Sequence, residues 1–465
     1  MAIQQTSRAQ VIDVHDPRTG ERIGSVPAGG ELEVHAAVTQ ARMSFPDWSR
    51  TAPSERADAL KAWARRLRDH VAELAELQSR ENGKPLADSA GGVEAGIGAI
   101  EQYAELGPLH RGRSLQGRWG ETGFMAYEPY GVAAVIVPWN DPVAIAAQNI
   151  AAALVAGNTV VFKPSEKTPL SGLRLAELAE ELTPGPLVTI TGDERAGRAL
   201  VAHAGVAVVV HTGAVATGVE IAKTCAARLA KCVLELGGKD PLIIDPDVDP
   251  YWAAEQAASG AFAYAGQICV SVERIYVHQA VAAPFTDALV ELAQATEVAP
   301  LVDAGQRQKV DAHVQAALAG GARALTGGQV PDGPGWFYPP TVLVDVADDM
   351  AVMTEETFGP VAPVRVVGSF DEALERANAS HYGLAATVLT DNEAHVQRAW
   401  RELEAGTVKI NDVWGGAPGG AATPRKLSGH GLGYGPELLD ELTQPKVVHV
   451  EPAVVQRDRG RGSDQ

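Results

Sequence analysis

From Gly131 onward the chain alternates short β-branched runs with alanine-rich segments of helical length, and this alternation constrains the fold more than any other feature. The first block has strand candidates at 132–137, 159–162, 187–191, 206–210 and 232–234, with helices at 142–156, 171–182 and 214–229 between them. A second block, 241–411, repeats the pattern with strands at 274–277, 341–346, 361–367, 385–389 and 406–410. Strands alternating with helices define βαβ units and mainly parallel sheets, with ligands at the carboxyl ends of the strands. Two such blocks imply an α/β protein of two lobes with a cleft between them.

The remaining segments read more simply. Apolar residues between Glu31 and Ala104 recur at helical spacing, with Leu60, Trp63, Ala64, Leu67 and Val71 as one stripe. Three helices are expected there, with Asn82-Gly83-Lys84-Pro85 as a breaker between the second and third, and the stripe is core. The 414–435 segment, rich in Gly, Ala and Pro, reads as a long loop, and 445–450 as an isolated terminal strand that pairs with something distant. The tail 457–465 reads as disordered.

At 465 residues the chain has room for about three domains of ~150 residues each. Its net charge of −19 argues against a nucleic-acid partner, which needs clustered Lys and Arg. No stretch is long and apolar enough to span a membrane, and the first residues lack the apolar core of a secretory signal. Three cysteines make no disulfide framework, so the expected location is the reducing cytoplasm.

Several short segments carry groups able to do chemistry. The run His211-Thr212-Gly213-Ala214-Val215-Ala216-Thr217-Gly218 is a strand end, a glycine and a helix start, whose free N–H groups suit a phosphate. It lacks the G-x-G-x-x-G spacing, which occurs nowhere in the chain. Lys163 and Glu166, in Phe162-Lys163-Pro164-Ser165-Glu166, are spaced to hold the hydroxyls of a ribose. Glu235, followed by Leu236-Gly237-Gly238-Lys239, is a carboxylate at a strand end, suited to activating water.

Asn140, in Pro138-Trp139-Asn140-Asp141-Pro142, is a candidate donor to an oxyanion, and Asp141 reads as an N-cap with Pro142 at N1. Cys225 and Cys232 read as small buried hydrophobes. Cys269, close to Gly266 at a helix end, is the candidate nucleophile, with a thiol pKa expected to fall there. Alone, each has a plainer reading: a charged turn, a turn-forming Asn, a solvated carboxylate, an inert thiol. The twelve His are scattered, and no metal site is expected.

Taken in order, PWN at 138–140, FKPSE at 162–166, ELGGK at 235–239, GQIC at 266–269 and EETFGP at 355–360 resemble the aldehyde dehydrogenase superfamily. DPRTGERIGSV at 16–26, ENGKP at 81–85, HYGLAATV at 381–388 and GTVKIN at 406–411 extend the resemblance over roughly 13–450. It implies an α/β fold with a variant Rossmann cofactor-binding domain (1–110 and 130–236), an α/β catalytic domain (237–424) and a small oligomerisation β-flap (111–129 and 445–453). It implies a homo-oligomer, dimer or tetramer, acting on a small-molecule aldehyde.

By the same resemblance Cys269 is the nucleophile, Glu235 the general base and Asn140 an oxyanion donor beside the Cys269 N–H. Lys163 and Glu166 would hold the adenosine ribose of NAD, and Gly213 and Gly218 would admit the pyrophosphate. Glu356 and Phe358 would position the nicotinamide ribose and ring, and Trp139, Ser165 and Gly237 are further cofactor-binding residues by the resemblance. Glu166 favours NAD, because a carboxylate repels a 2′-phosphate, with NADP also admitted.

The chain departs from the family at three places. His211-Thr212-Gly213-Ala214 replaces Phe-Thr-Gly-Ser, removing one hydroxyl contact to phosphate worth about 0.5–1.5 kcal/mol. Ala421-Ala422-Thr423-Pro424-Arg425-Lys426 replaces Pro-Phe-Gly-Gly-x-Lys, and the Glu usual soon after Ser428-Gly429 is absent. The segment before Ala299-Pro300-Leu301 is shortened. Two other functions remain open: acylation of CoA instead of water, which the intact Glu235 opposes, and a catalytically silent binding homologue, which Cys269 and Asn140 oppose. Asp141, Gln148, Ile268, Val270 and Trp414 are candidate substrate-tunnel positions, and their mixed polar and aliphatic character suits a small or medium aldehyde.

Overall fold

The computed structural model describes residues 10–182, 185–416 and 420–451. The tail at 457–465 and part of the glycine-rich loop lie outside the described residues.

The N-terminal third packs four helices where three were expected: Glu31–Arg50, Pro53–Arg68, Val71–Asn82 and Leu86–Leu106. The extra boundary is Asp69-His70, which divides the expected stripe, so that Val71 opens the next helix and is only partly buried. Gly83, at φ +75°, ends the third helix at the expected breaker. Leu60, Trp63, Ala64 and Leu67 are fully buried in the largest core cluster, and Trp63 Nε1 donates to the Leu175 carbonyl at 3.2 Å.

The first sheet has six strands in the order Gly429–His430, Lys231–Leu236, Val206–Gly213, Val132–Ile136, Thr159–Lys163, Leu187–Thr189. All neighbours are parallel except Gly429–His430, which runs antiparallel to Lys231–Leu236. The chain starts at Val132–Ile136, moves outward to Leu187–Thr189 and returns on the other side at Val206–Gly213. The strand order therefore reverses between Val132–Ile136 and Val206–Gly213, where a doubly wound sheet opens a crevice.

The second sheet has seven strands: Arg323–Thr326, Thr341–Val344, Val361–Val367, Val272–His278, Asp240–Ile244, Ala385–Leu389 and Thr407–Ile410. It is parallel apart from its first pair. The terminal strand, Thr443–Val450, pairs antiparallel over its whole length with Thr122–Pro129, beside Arg113–Leu115. The 414–435 segment is not wholly a loop. Its short strands Arg425–Lys426 and Gly429–His430 stitch it to Tyr382–Gly383 and to Lys231–Leu236. Among the described residues no helix is long and apolar enough to cross a membrane.

Trp63→Ala removes a fully buried ring and its hydrogen bond, so chemical denaturation should show a loss of about 3–5 kcal/mol.

Candidate active site

The strand Lys231–Leu236 leaves the first sheet and, after Gly237-Gly238-Lys239, the chain enters the second as Asp240–Ile244. This joint lies on the crevice. A Cβ at Gly237 would come within 2.7 Å of the Glu356 carboxylate, and one at Gly238 would meet the Cys269 carbonyl at 3.0 Å, so both positions need glycine for space. Lys239 is fully buried and donates to Glu273 Oε2 at 2.6 Å and to Thr357 Oγ1 at 3.1 Å. Glu273 accepts the N–H groups of Thr357 and Phe358, both at 2.8 Å. One buried ion pair thus ties the loop bearing Glu356 and Phe358 to the joint bearing Glu235.

Cys269 arrives by a different route. After the helix Pro250–Phe262 the backbone turns left-handed at Tyr264 (φ +47°), Ala265 (+54°) and Gly266 (+68°), strain that two non-glycine residues carry. Gln267, fully buried, donates to the Tyr264 and Pro300 carbonyls and accepts the Val302 N–H. Its own carbonyl accepts Asn140 Nδ2 at 3.1 Å, so the Asn140 amide lies against the segment carrying Cys269.

The helical N-terminal region, whose apolar stripe reads only as core, holds the Asn140 turn in place. Asn82 Nδ2 donates to the Trp139 and Asn140 carbonyls at 3.0 and 3.3 Å, and Tyr264 hydroxyl donates to the Asn82 carbonyl. Asp141 does precede a helix starting at Pro142, but its side chain does not cap; it pairs with Lys84 at 3.0 Å. ENGKP marked these residues in the sequence, without indicating what they reach.

Burial governs the site's protonation. The Cys269 thiol is pushed up to about 12, first by desolvation and then by Asp240, Glu235 and Glu356. The lowering expected from a helix end is thus reversed: Cys269 follows the carboxyl end of Pro250–Phe262, the negative pole, and faces carboxyls. Glu235 is raised to about 8 by burial, partly offset by the Gly433 N–H on Oε1 at 3.0 Å. Glu356 is raised to about 7 by burial and by Glu273. His211 is buried and lowered to about 4 by desolvation.

Trp139, Asn140, Gly213, Glu235, Gly237, Cys269, Glu356 and Phe358 line one cleft of about 640 Å³ at the strand-order reversal. Trp139 and Phe358 meet edge to face, 5.5 Å between centroids. Ile145, Gln306 and Lys309 also line it and were missed, because one apolar and two polar residues on ordinary helices carry no sequence signal of a site. Gln306 Nε2 donates to the Thr357 and Phe358 carbonyls.

Lys163, Ser165 and Glu166 lie instead at and just beyond the end of Thr159–Lys163. Lys163 is buried, 3.8 Å from Glu166, and donates to the Pro164 carbonyl. Gly218 lies inside the helix Val215–Ala226, where a Cβ would run into Leu236; its contact is helix-to-strand packing. That helix begins after Ala214 with no side-chain cap, leaving first-turn N–H groups facing the cleft end of Val206–Gly213. A diphosphate fits such an N-terminus, and a carboxylate–aromatic pair such as Glu356 and Phe358 fits a ribose and a flat ring.

A doubly wound sheet with an open helix N-terminus at its crevice is the architecture of a dinucleotide-dependent oxidoreductase. More specifically, residues 3–448 match the aldehyde dehydrogenase family model, and the chain belongs to that family. Lactaldehyde dehydrogenase from Escherichia coli is 32% identical, with 96% of this chain and 97% of that one aligned at a TM-score of 0.93. An NADP-dependent enzyme of E. coli is 33% identical, with 95% of each chain aligned at 0.92. Betaine aldehyde dehydrogenase from Staphylococcus aureus, in complex with NAD+, is 32% identical, over 96% of this chain and 93% of that one, at 0.92.

Lys239→Met would leave Glu273 buried and unpaired, so chemical denaturation should show a loss of about 3–5 kcal/mol, and unchanged stability would contradict the role given to the pair.

Proposed function

We propose that this chain oxidises a small or medium aldehyde to its carboxylic acid with NAD(P), through a covalent intermediate on Cys269. The cleft that Cys269, Glu235 and Asn140 line together is the observation that supports this reading most directly. Glu356 and Phe358 would hold the nicotinamide, which when bound in its oxidised form would supply the two-electron acceptor for the substrate's hydride.

The residues divide the work as follows. Cys269 gives its proton to solvent and its sulfur adds to the aldehyde carbon, so that the C=O π electrons move onto oxygen as an alkoxide. Asn140 Nδ2 and the Cys269 N–H are the donors for that oxyanion. Once the hydride has left carbon, the C–O double bond re-forms and a thioester to Cys269 remains. Glu235 takes a proton from water as the water oxygen adds to the thioester carbon; the C–S bond breaks, releasing the acid and the Cys269 sulfur. A base raised to about 8 is well matched to this proton transfer.

Lys163, Ser165 and Glu166 are assigned to the adenosine ribose, Gly213 and the Val215–Ala226 N-terminus to the diphosphate, Gly218 to close packing behind it, and Trp139 and Gly237 to the nicotinamide half. The carboxylate of Glu166 favours NAD over NADP. The same reading makes 1–110 with 130–236 the cofactor-binding domain, 237–424 the catalytic domain, and 111–129 with 445–453 a flap joining copies into a dimer or tetramer. The open edge of Thr443–Val450, with Val447 and Val450 exposed, supports that last point. A cytoplasmic location completes the proposal.

Cys269→Ala should abolish NADH formation across an aldehyde panel while leaving cofactor binding measurable by calorimetry; surviving turnover would overturn the cysteine assignment. Glu235→Gln should give one equivalent of NADH in a burst and then a slow phase in stopped-flow absorbance, whereas a steady wild-type rate would count against its role as base. The deacylation rate of the wild type, measured in single turnover, should climb as pH rises through about 8, because the protonated Glu235 below that value cannot accept a proton.

A further inference from the structure

The Gly433 N–H is the one donor to the Glu235 carboxylate among the described residues. Gly433 is not glycine for torsional freedom, since its φ lies outside the left-handed region and an L-residue takes that backbone without strain. What excludes a side chain is Glu235: a Cβ at 433 would come within 2.7 Å of its Cδ, and closer to its Cγ and Oε1.

The peptide at Gly433 is held from several sides. Gln148 Nε2 donates to the Gly433 carbonyl at 3.0 Å. The Leu432 N–H donates to Glu441 at 3.2 Å, and Glu441 pairs with Lys231, which lies on the strand that carries Glu235. The Leu236 N–H donates to the Ser428 carbonyl at 2.9 Å, and Gly429 pairs in register with Glu235 itself. The 428–433 segment, where this chain lacks the family's usual carboxylate, is thus a clamp laid along the strand at Glu235.

We infer that Gly433 is the positioning residue of the general base: its N–H fixes Glu235 Oε1, and its missing side chain makes the seat in which the carboxylate lies. Oε2 is left without a protein donor among the described residues, open to take the proton of the hydrolytic water. Because the N–H favours the ionised carboxyl, it also moderates the rise that burial imposes. The inference rests on the reading of Glu235 as base.

The test compares wild type, Gly433→Ala, Gln148→Leu and Glu235→Gln, each as the full chain, by stopped-flow NADH formation between pH 6 and pH 10. Gly433→Ala should form the first equivalent of NADH at the wild-type rate and lose roughly tenfold in the steady rate, the scale of one hydrogen bond to a charged group. Its rate should climb at higher pH than in the wild type. Gln148→Leu, which loosens the peptide without entering the seat, should move both quantities the same way by less. In thermal melts Gly433→Ala should lower Tm in the wild-type background and not beside Glu235→Ala, where the clash has no partner. A slow Glu235→Gln with a normal rate and pH profile in Gly433→Ala would overturn the inference alone. A normal Glu235→Gln would overturn the base assignment, and the inference with it.

Discussion

The buried pair of Lys239 and Glu273 is the contact on which the rest of the site depends. Lys239 lies in the three-residue joint between the two sheets, and Glu273 opens the strand Val272–His278, just past the segment that carries Cys269. Through the Thr357 and Phe358 N–H groups the pair also holds the third wall of the cleft. Two charges this deep are tolerable because each is paired and hydrogen-bonded, and removing either would leave the other exposed to a low dielectric. The return is positional: groups distant in the chain are tied to one point.

That joint also sets the direction of every strand around the cleft. Lys231–Leu236 runs toward it and Asp240–Ile244 runs away, so the first sheet presents its carboxyl ends and the parallel second sheet its amino ends. Asn140, Gly213 and Glu235 accordingly lie at or after strand ends, whereas Cys269 and Glu356 lie before strand starts. A thiol and several carboxyls then share one water-poor space, and their pKa values rise together for the same reason. The protein side thus favours the protonated thiol of Cys269 near neutrality.

Much of this was legible in the sequence. Alternating β-branched and alanine-rich runs identify both sheets, because fully buried parallel strands must be apolar on both faces. The motif residues ELGGK, GQIC and EETFGP meet at the cleft, because each combines a reactive or polar side chain with glycines that let backbones approach. The boundary at Asp69-His70 was missed because neither residue is Gly or Pro and Val71 falls in helical step with Leu67. Carboxyl ends were expected at the site throughout, and the second sheet breaks that rule because its first strand begins in the cleft. Asn82, Gln306 and Gly433 act through side-chain-to-backbone contacts remote in sequence, and periodicity carries no trace of them. The Cys269 thiol was misjudged because a local helix-end argument omits the carboxyls that the fold brings to it.

The central claim is that a thioester forms on Cys269 and that Glu235 is needed to release it. Mass spectrometry of peptides from Glu235→Gln enzyme, acid-quenched during turnover with an oxidisable aldehyde and NAD, tests this directly. The account predicts one acyl group per subunit, on the peptide containing Cys269. An adduct on Cys225 or Cys232, or none while NADH accumulates, would contradict it.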